Sequence, residues 1–378
     1  MEWKEQLAEL RTEVDNIDEA LIPLFQKRMD ISKRVAAVKC EHNLAVEDEI
    51  RENQIVEKAL NYVEDDIKSE TDLLMRTIMG LSREYQRRQQ FSGATPILPP
   101  AVKPVTGLVT CAYQGVPGAW GEQAVSCLYP EAERRPVEHF VDVFTAVKNG
   151  EVDYGVVPIE NSKTGAIGEI YDLLRKYGCY IVGRMWISIQ QNLVGLPETK
   201  ITDIREVLSH PEGLKQCSRY LYGKAWDQTA CRNTAVAVKQ VVQAGEKKKA
   251  AIASRHAAEL YGLEVIEPNI MDSADNRTSF VVISRQPEYD EQSNLISVTF
   301  STQHRSGALC EALMPFMADG LNLMRIESRP VSADKYRFFA EIQGNINDKR
   351  VLSALRQAAA TTEYFEVLGC YGVTTCEE

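Results

Sequence analysis

Through residues 1–92, apolar side chains recur in steps of three and four: Leu7, Leu10, Val14, Ile17, Leu21, Leu24, Ile31, Val35 and Val38. A stripe this narrow at helical period predicts one long helix. Two further helical patterns follow, around Ile50, Ile55, Leu60 and Val63, then around Leu74, Ile78, Leu81 and Tyr85. The only glycine and proline here are Gly80 and Pro23, and Pro23, which lacks a backbone donor, predicts a kink in the first helix. A single long helix cannot cover its own stripe. An intertwined homodimer, or a higher homo-oligomer, would cover it.

The period then changes twice. Residues 93–105 hold four prolines in thirteen positions, which predicts a semi-rigid linker and a domain boundary. From 106 to about 285, short β runs alternate with helices: Gly107–Tyr113, Tyr154–Pro158, Cys179–Val182, Val207–Ser209, Ala250–Ala253 and Ser279–Ser284. That alternation predicts an α/β domain with room for two lobes. After a polar stretch at 286–293, residues 294–376 read strand, helix, strand, strand, helix, strand, the order of a ferredoxin-like α+β sandwich. The chain is therefore expected to be multidomain: all-α, then α/β, then α+β.

Composition narrows the class. The chain has 378 residues, 44% hydrophobic and 26% charged, as in ordinary globular proteins of two or three domains. Its net charge of −11 disfavours nucleic acid and anionic membrane as partners. No apolar run is long enough to span a bilayer, and the amino terminus lacks the layout of a signal peptide. Nine cysteines, an odd count without C-x-x-C spacing, fit reduced thiols in the cytoplasm, and five histidines without ligand spacing give no metal site.

One position breaks the first stripe. Arg28 stands between Leu24 and Ile31, where an unpaired buried charge would be costly. Lys39, three turns on, faces nearly the same way, whereas Arg11, seventeen residues earlier, lies about a quarter turn off that face. Asp48, Arg51 and Glu52 share one turn of the second helix, and Ser82 and Gln86 are four apart on the third. Taken alone, such a set also fits a surface ion-pair network. Position by position, however, Arg11, Arg28, Lys39, Asp48, Arg51, Glu52, Ser82 and Gln86 resemble the active site of the all-helical chorismate mutases. By that resemblance Arg28, Arg51 and a partner protomer's Arg11 clamp the two carboxylates of chorismate. Lys39 and Gln86 would donate to its ether oxygen, while Asp48, Glu52 and Ser82 bind the hydroxyl and position the cations. A unimolecular Claisen rearrangement needs no more than a held conformer and stabilised charge.

In the middle domain, polar residues sit where strands end and helices begin, the usual anion-binding positions of α/β folds. They are Pro158-Ile159-Glu160-Asn161, Ser209-His210-Pro211 with Gln216, Thr234-Ala235, and Asn276-Arg277-Thr278-Ser279-Phe280. Each alone fits a helix cap. Together they resemble prephenate dehydratase, a two-lobed, periplasmic-binding-protein-like domain with its substrate between the lobes. The resemblance makes Thr278 the essential threonine, a hydrogen-bond donor in a relay to the departing hydroxyl, and puts Asn161, Ser209 and Gln216 in the cleft. Glu160 lies beside it as a candidate proton source. Ser279 stands where the family carries arginine, with Arg277 one residue early, and Gly121 stands where serine or threonine is usual. His210 reads as a structural strand-end residue. Gly115, Gly118 and Gly121 do not form G-x-G-x-x-G, so no nicotinamide cofactor is expected.

Gly307-Ala308-Leu309-Cys310 opens a helix and Glu327-Ser328-Arg329-Pro330 ends a strand. Both segments resemble the regulatory ACT domain, with Cys310 in place of the usual valine. The resemblance makes Gly307, Ala308, Leu309, Glu327, Ser328 and Arg329 a site for L-phenylalanine as feedback inhibitor. In domain order and motifs the whole chain resembles the bifunctional chorismate mutase–prephenate dehydratases of phenylalanine biosynthesis. That implies the substrates chorismate and prephenate, and neither cofactor nor metal. Two other readings stay open: a phenylalanine-sensing protein whose middle cleft binds without turnover, and a mutase fused to a prephenate dehydrogenase.

Overall fold

The computed structural model describes residues 2–376 apart from 43, 45, 47, 91–95, 274, 333 and 334. Three helices open the chain: α1 (Glu2–Glu41), α2 (Glu49–Leu60) and α3 (Lys68–Gln90). Helix α1 runs unbroken through Pro23. That residue is exposed, so the Glu19 carbonyl deprived of its donor can be hydrated. Helix α3 packs on both α1 and α2. Among the described residues, the buried apolar side chains of the three are Ala36, Val56 and Met79, alongside buried Ser32, Ser82, Arg83, Glu84 and Gln86. The bundle's interior is thus largely polar. Its apolar stripe faces outward, with Leu10 57%, Ile17 65% and Leu24 62% exposed.

The α/β region follows in chain order as β1 (Thr110–Gln114), α4 (Trp120–Leu128), β2 (Glu133–Val137), α5 (Phe140–Asn149), β3 (Tyr154–Asn161), β4 (Gly165–Ala166), α6 (Gly168–Tyr177) and β5 (Tyr180–Ser188). A second lobe comprises β6 (Asn192–Gly195), β7 (Glu206–Ser209), α7 (Pro211–Gln216), α8 (Ser218–Leu221), β8 (Asp227–Ala230), α9 (Thr234–Ala244), β9 (Lys249–Ala253), α10 (Arg255–Leu260) and β10 (Glu264–Glu267). Then β11 (Arg277–Ser284) returns to the first lobe. Each lobe has its own sheet, the second ordered β10-β6-β9-β7-β8. The chain crosses between them after β5 and again before β11, which leaves a cleft where the strands end.

The last unit is β12 (Leu295–Ser301), α11 (Ala308–Ala318), β13 (Leu323–Ser332), β14 (Lys335–Gln343), α12 (Lys349–Thr361) and β15 (Tyr364–Tyr371), followed by β16 (Val373–Cys376). Its antiparallel sheet runs β13-β14-β12-β15, the strand order of a ferredoxin-like sandwich.

This unit is welded to the first lobe. Strand β16 joins the lobe's sheet parallel to β5, extending the order to β16-β5-β11-β3-β1-β2 with β4 beside β3. Leu295, Phe339, Leu368 and Tyr371 share one hydrophobic cluster with Val143, Phe144, Ile159 and Ile170. Cys127 of α4 and Cys376 of β16 form a disulfide, which corrects the expectation of reduced thiols throughout. No spacing motif announces that pair, because the two residues are 249 apart and meet only once β16 has joined the sheet. The described part of the proline-rich segment lies on the protein as well: Leu98 is buried in the last unit's core and Val102 N–H donates to the Pro287 carbonyl at 3.0 Å. No helix among the described residues is long and apolar enough to cross a membrane.

Candidate active sites

Arg28, half-buried on α1, donates through Nη1 to the Ile78 carbonyl (3.3 Å) and to Ser82 Oγ on α3. Ser82 in turn donates to that same carbonyl at 2.9 Å. Burial lowers the Arg28 guanidinium below its ordinary pKa, and nearby Glu52 acts in the opposite sense. Lys39 Nζ donates to the Val46 carbonyl at 2.6 Å, just ahead of α2. Asp48 caps α2 by accepting from the Arg51 N–H at 3.0 Å. One turn beyond Ser82, Gln86 is buried and its Oε1 has no hydrogen-bond partner. Arg28 and Ser82 thus meet with Glu52 in electrostatic reach, Gln86 is buried one turn from Ser82, and Lys39 lies at the α1–α2 junction. Arg51 is exposed and its side chain donates to Gln54 Oε1 at 3.5 Å. Arg11 is also exposed and lies about 25 Å along α1 from Arg28 at 1.5 Å per residue. Ser32, Arg83 and Glu84 of this interior escaped the sequence reading, and Arg83 is ion-paired to Glu52. Its only sequence signal is its place between Ser82 and Gln86.

The cleft between the lobes has a volume of about 220 Å³ and is floored by β3 and β11. There Thr278 pairs with Asn161 across the ladder, and Asn161 Nδ2 donates to Thr278 Oγ1 at 3.0 Å. Asn161 Nδ2 also donates to Asn276 Oδ1 at 2.9 Å, so the amide is fixed. Gln216, His210, Gly213, Gln191 and Thr234 line the facing wall. His210 accepts at Nδ1 from the Glu212 N–H (3.2 Å), capping α7 as expected of a strand-end residue. Burial pushes its imidazole pKa down, partly offset by Glu212, so the neutral ring carries its proton on Nε2. Among the described residues no lysine or arginine lines the cleft. Two helix starts border it instead: Ala119, Trp120 and Gly121 at α4, whose first turn also holds buried Glu122 accepting from the Gly118 N–H at 2.6 Å, and Asn233 and Thr234 at α9, capped by the Asn233 side chain.

Two expected cleft residues point elsewhere. Ser209 is wholly buried and donates to the Ile252 carbonyl at 2.7 Å, so it braces β7 rather than facing the cleft. Glu160 lies on the opposite face of β3, in a separate cavity of about 450 Å³, ion-paired to Arg184 (2.9 Å) and Arg325 (2.7 Å). The cause is a bulge: Phe280 pairs with Pro158 but Ser279 with Glu160, so one extra residue reverses the alternation of β3. Ser279 shares Glu160's face and accepts from Arg184 Nε at 2.7 Å. Arg277 is exposed and stays out of the cleft. Gly121 is confined, since a Cβ there would sit 3.3 Å from the Gln114 carbonyl oxygen. A glycine lets α4 approach β1 that closely.

In the last unit, Gly307 adopts a left-handed φ of 78° and starts α11 without a side-chain cap, leaving backbone donors at Leu309 and Cys310. Glu327 on β13 is held by Arg325 at 2.9 Å. Arg329 lies against Gly168 and Asp172 (3.7 Å) of the first lobe. The two halves of the expected phenylalanine site therefore sit on different elements, and the second is engaged with the first lobe.

Comparison with known proteins matches the first two units. Residues 10–87 match the model of chorismate mutase type II, and residues 111–288 that of prephenate dehydratase. Arogenate dehydratase/prephenate dehydratase 2 of Arabidopsis thaliana is 36% identical over 280 residues, 71% of this chain and 74% of that protein. The bifunctional chorismate mutase/prephenate dehydratase of Escherichia coli K12 is 28% identical across 97% of this chain and 96% of its own length. A prephenate dehydratase from Arthrobacter aurescens solved with L-Phe superposes with a TM-score of 0.65 at 27% identity, over 70% of this chain and 90% of that one. A structure described as a quorum-quenching acylase, GqqA, also scores 0.65, at 29% identity over 70% of this chain and 98% of that one. With both domain models in order and a 36%-identical dehydratase among its relatives, the chain belongs to the bifunctional chorismate mutase/prephenate dehydratase family.

Proposed function

We propose that the helical unit rearranges chorismate to prephenate and the two-lobed unit converts prephenate to phenylpyruvate, two steps of phenylalanine biosynthesis carried by one chain. The observation that carries the second step is the Asn161–Thr278 pair on the floor of a cleft whose described lining holds no lysine or arginine, Lys163 and Lys215 lying in the adjoining cavity that shares Glu212 and Gln216. Thr278 donates toward the departing hydroxyl while helix starts hold the substrate carboxylates. Neutral donors suit a reaction that must release CO₂, because a lysine or arginine would stabilise the carboxylate that has to leave. In the first step Arg28 and Arg51 hold carboxylates, Lys39 and Gln86 donate to the ether oxygen, and Asp48, Glu52 and Ser82 bind the hydroxyl. Arg11, too distant to serve its own pocket, serves a partner's. The exposed stripe of α1 supports that dimer. The carboxyl-terminal unit acts as an ACT domain: the Gly307 turn takes the carboxylate of L-phenylalanine and Glu327, Ser328 and Arg329 of a second copy close over it. The protein works in the cytoplasm.

The test is the full chain supplied with chorismate alone. Prephenate followed by phenylpyruvate, with no added nucleotide and with inhibition by L-phenylalanine, supports the reading. Prephenate accumulating without phenylpyruvate points to a binding module, and NAD reduction to a dehydrogenase. Glu212 at the cleft wall favours one comparison assay, arogenate against prephenate, since a carboxylate there can meet an amine.

A further inference from the structure

Arg83 is buried on α3, its side chain 9% exposed, and its fork is split between two units. Nη1 donates to Glu52 Oε2 on α2, and Nη2 donates at 2.7 Å to Glu311 Oε1 on α11 of the carboxyl-terminal unit. Glu311 Oε2 accepts in turn from Arg305, in the turn that precedes Gly307. Gly80, one turn before Arg83, faces the same helix: a Cβ there would lie 3.1 Å from Met314 Cε on α11. A guanidinium is planar and rigid, so two carboxylates on adjacent nitrogens fix each other's positions.

We propose that Arg83 is a positioning residue of the mutase site, set by Glu311, so that the first turn of α11 takes part in mutase geometry. The proposal rests on the assignment of Glu52 to chorismate binding. Glu52 already lies within electrostatic reach of Arg28. Freed from Arg83, its carboxylate would swing toward Arg28 and neutralise the cation that the substrate carboxylate requires. Arg83 therefore keeps the two apart without itself touching chorismate.

The experiment measures both activities of the full chain, with circular dichroism as the check on the helical fold and prephenate turnover as the check on the two-lobed unit. Arg83→Gln is expected to lower mutase kcat/KM about ten- to hundredfold, the worth of one charge-assisted hydrogen bond, mostly through KM. Prephenate turnover should be unchanged. Adding Arg83→Gln to Glu52→Gln should lose little beyond Glu52→Gln alone. Glu311→Gln, which leaves every residue of the helical unit intact, should raise the chorismate KM in the same direction. Wild-type mutase kinetics in Arg83→Gln, multiplicative losses in the double variant, or an unmoved KM in Glu311→Gln overturns the proposal. Lys39→Ala serves as the separate control: if it keeps mutase activity, the assignment of the site itself is wrong.

Discussion

Gln86 offers the sharpest chemical test of the mutase assignment. Its side chain is buried one turn from Ser82, with Oε1 unpartnered, and the assigned role uses its amide N–H₂ as a donor to the ether oxygen. Glu at this position is nearly isosteric, and only its protonated form has an O–H to donate. With a carboxyl pKa near its ordinary value of about 4.3, roughly one molecule in five hundred is protonated at pH 7. The mutase step should then fall about 2.7 decades at pH 7, close to 3.7 kcal/mol, and recover tenfold for each unit of pH lowered toward that pKa. Burial would raise the pKa and shift the recovery upward, whereas Arg28 and Lys39 would lower it, so the slope rather than the midpoint is the diagnostic quantity. The assay is chorismate consumption from pH 4.5 to 8 for wild type and Gln86→Glu, with circular dichroism at each pH. A pH–rate profile parallel to wild type would remove Gln86 from the ether-oxygen role.

Three other outcomes are expected. Arg184 is 5% exposed between Glu341 (8%) and Glu160, so Arg184→Met leaves the buried Glu341 carboxylate without its cation, while Glu160 keeps Arg325, and should cost about 3–5 kcal/mol in a denaturant melt; a loss under 1 kcal/mol would show that the pair is solvated. His210 titrates below its unfolded value of about 6.5, so the stability it contributes is complete above that pH and is lost as pH falls through the lower folded value. His210→Asn keeps a capping acceptor and should flatten the acid side of the stability curve, and an unchanged curve would contradict the assigned protonation. Ile17→Glu, on the exposed stripe of α1, should give monomers by sedimentation and lose mutase turnover while keeping the fold of the two-lobed unit; a wild-type sedimentation profile would count against the intertwined dimer.

Much of the fold was legible because three periods are written in three separate stretches. The α1 stripe, the β/α alternation after residue 106 and the last βαββαβ unit each correspond to elements within a few residues of their expected ends. Arg28 stood out for a physical reason: a charge within an apolar stripe needs a partner, and it has Ser82 and the Ile78 carbonyl. What stayed hidden depends on tertiary register. The resemblance already sets Asn161 in the cleft and Glu160 beside it, but that Glu160 lies on the opposite face follows from a one-residue bulge that no local pattern encodes. Ser209 ends its strand as expected, yet its hydroxyl satisfies a neighbouring strand's carbonyl. The Cys127–Cys376 bridge and the Arg83–Glu311 pair join residues more than 200 positions apart, and follow only from how the units pack.

The central claim is that one chain carries two separate active sites, and the coupled assay on Lys39→Ala and Thr278→Ala tests it most directly. A charge contact at about 4 Å in an effective dielectric near 20 is worth roughly 4 kcal/mol, or about three decades in rate. Lys39→Ala is therefore expected to abolish prephenate formation from chorismate while still converting added prephenate at the wild-type rate. Thr278→Ala is expected to form prephenate normally and stop there. Loss of both steps in either variant, with the fold intact by circular dichroism, would contradict the two-site account.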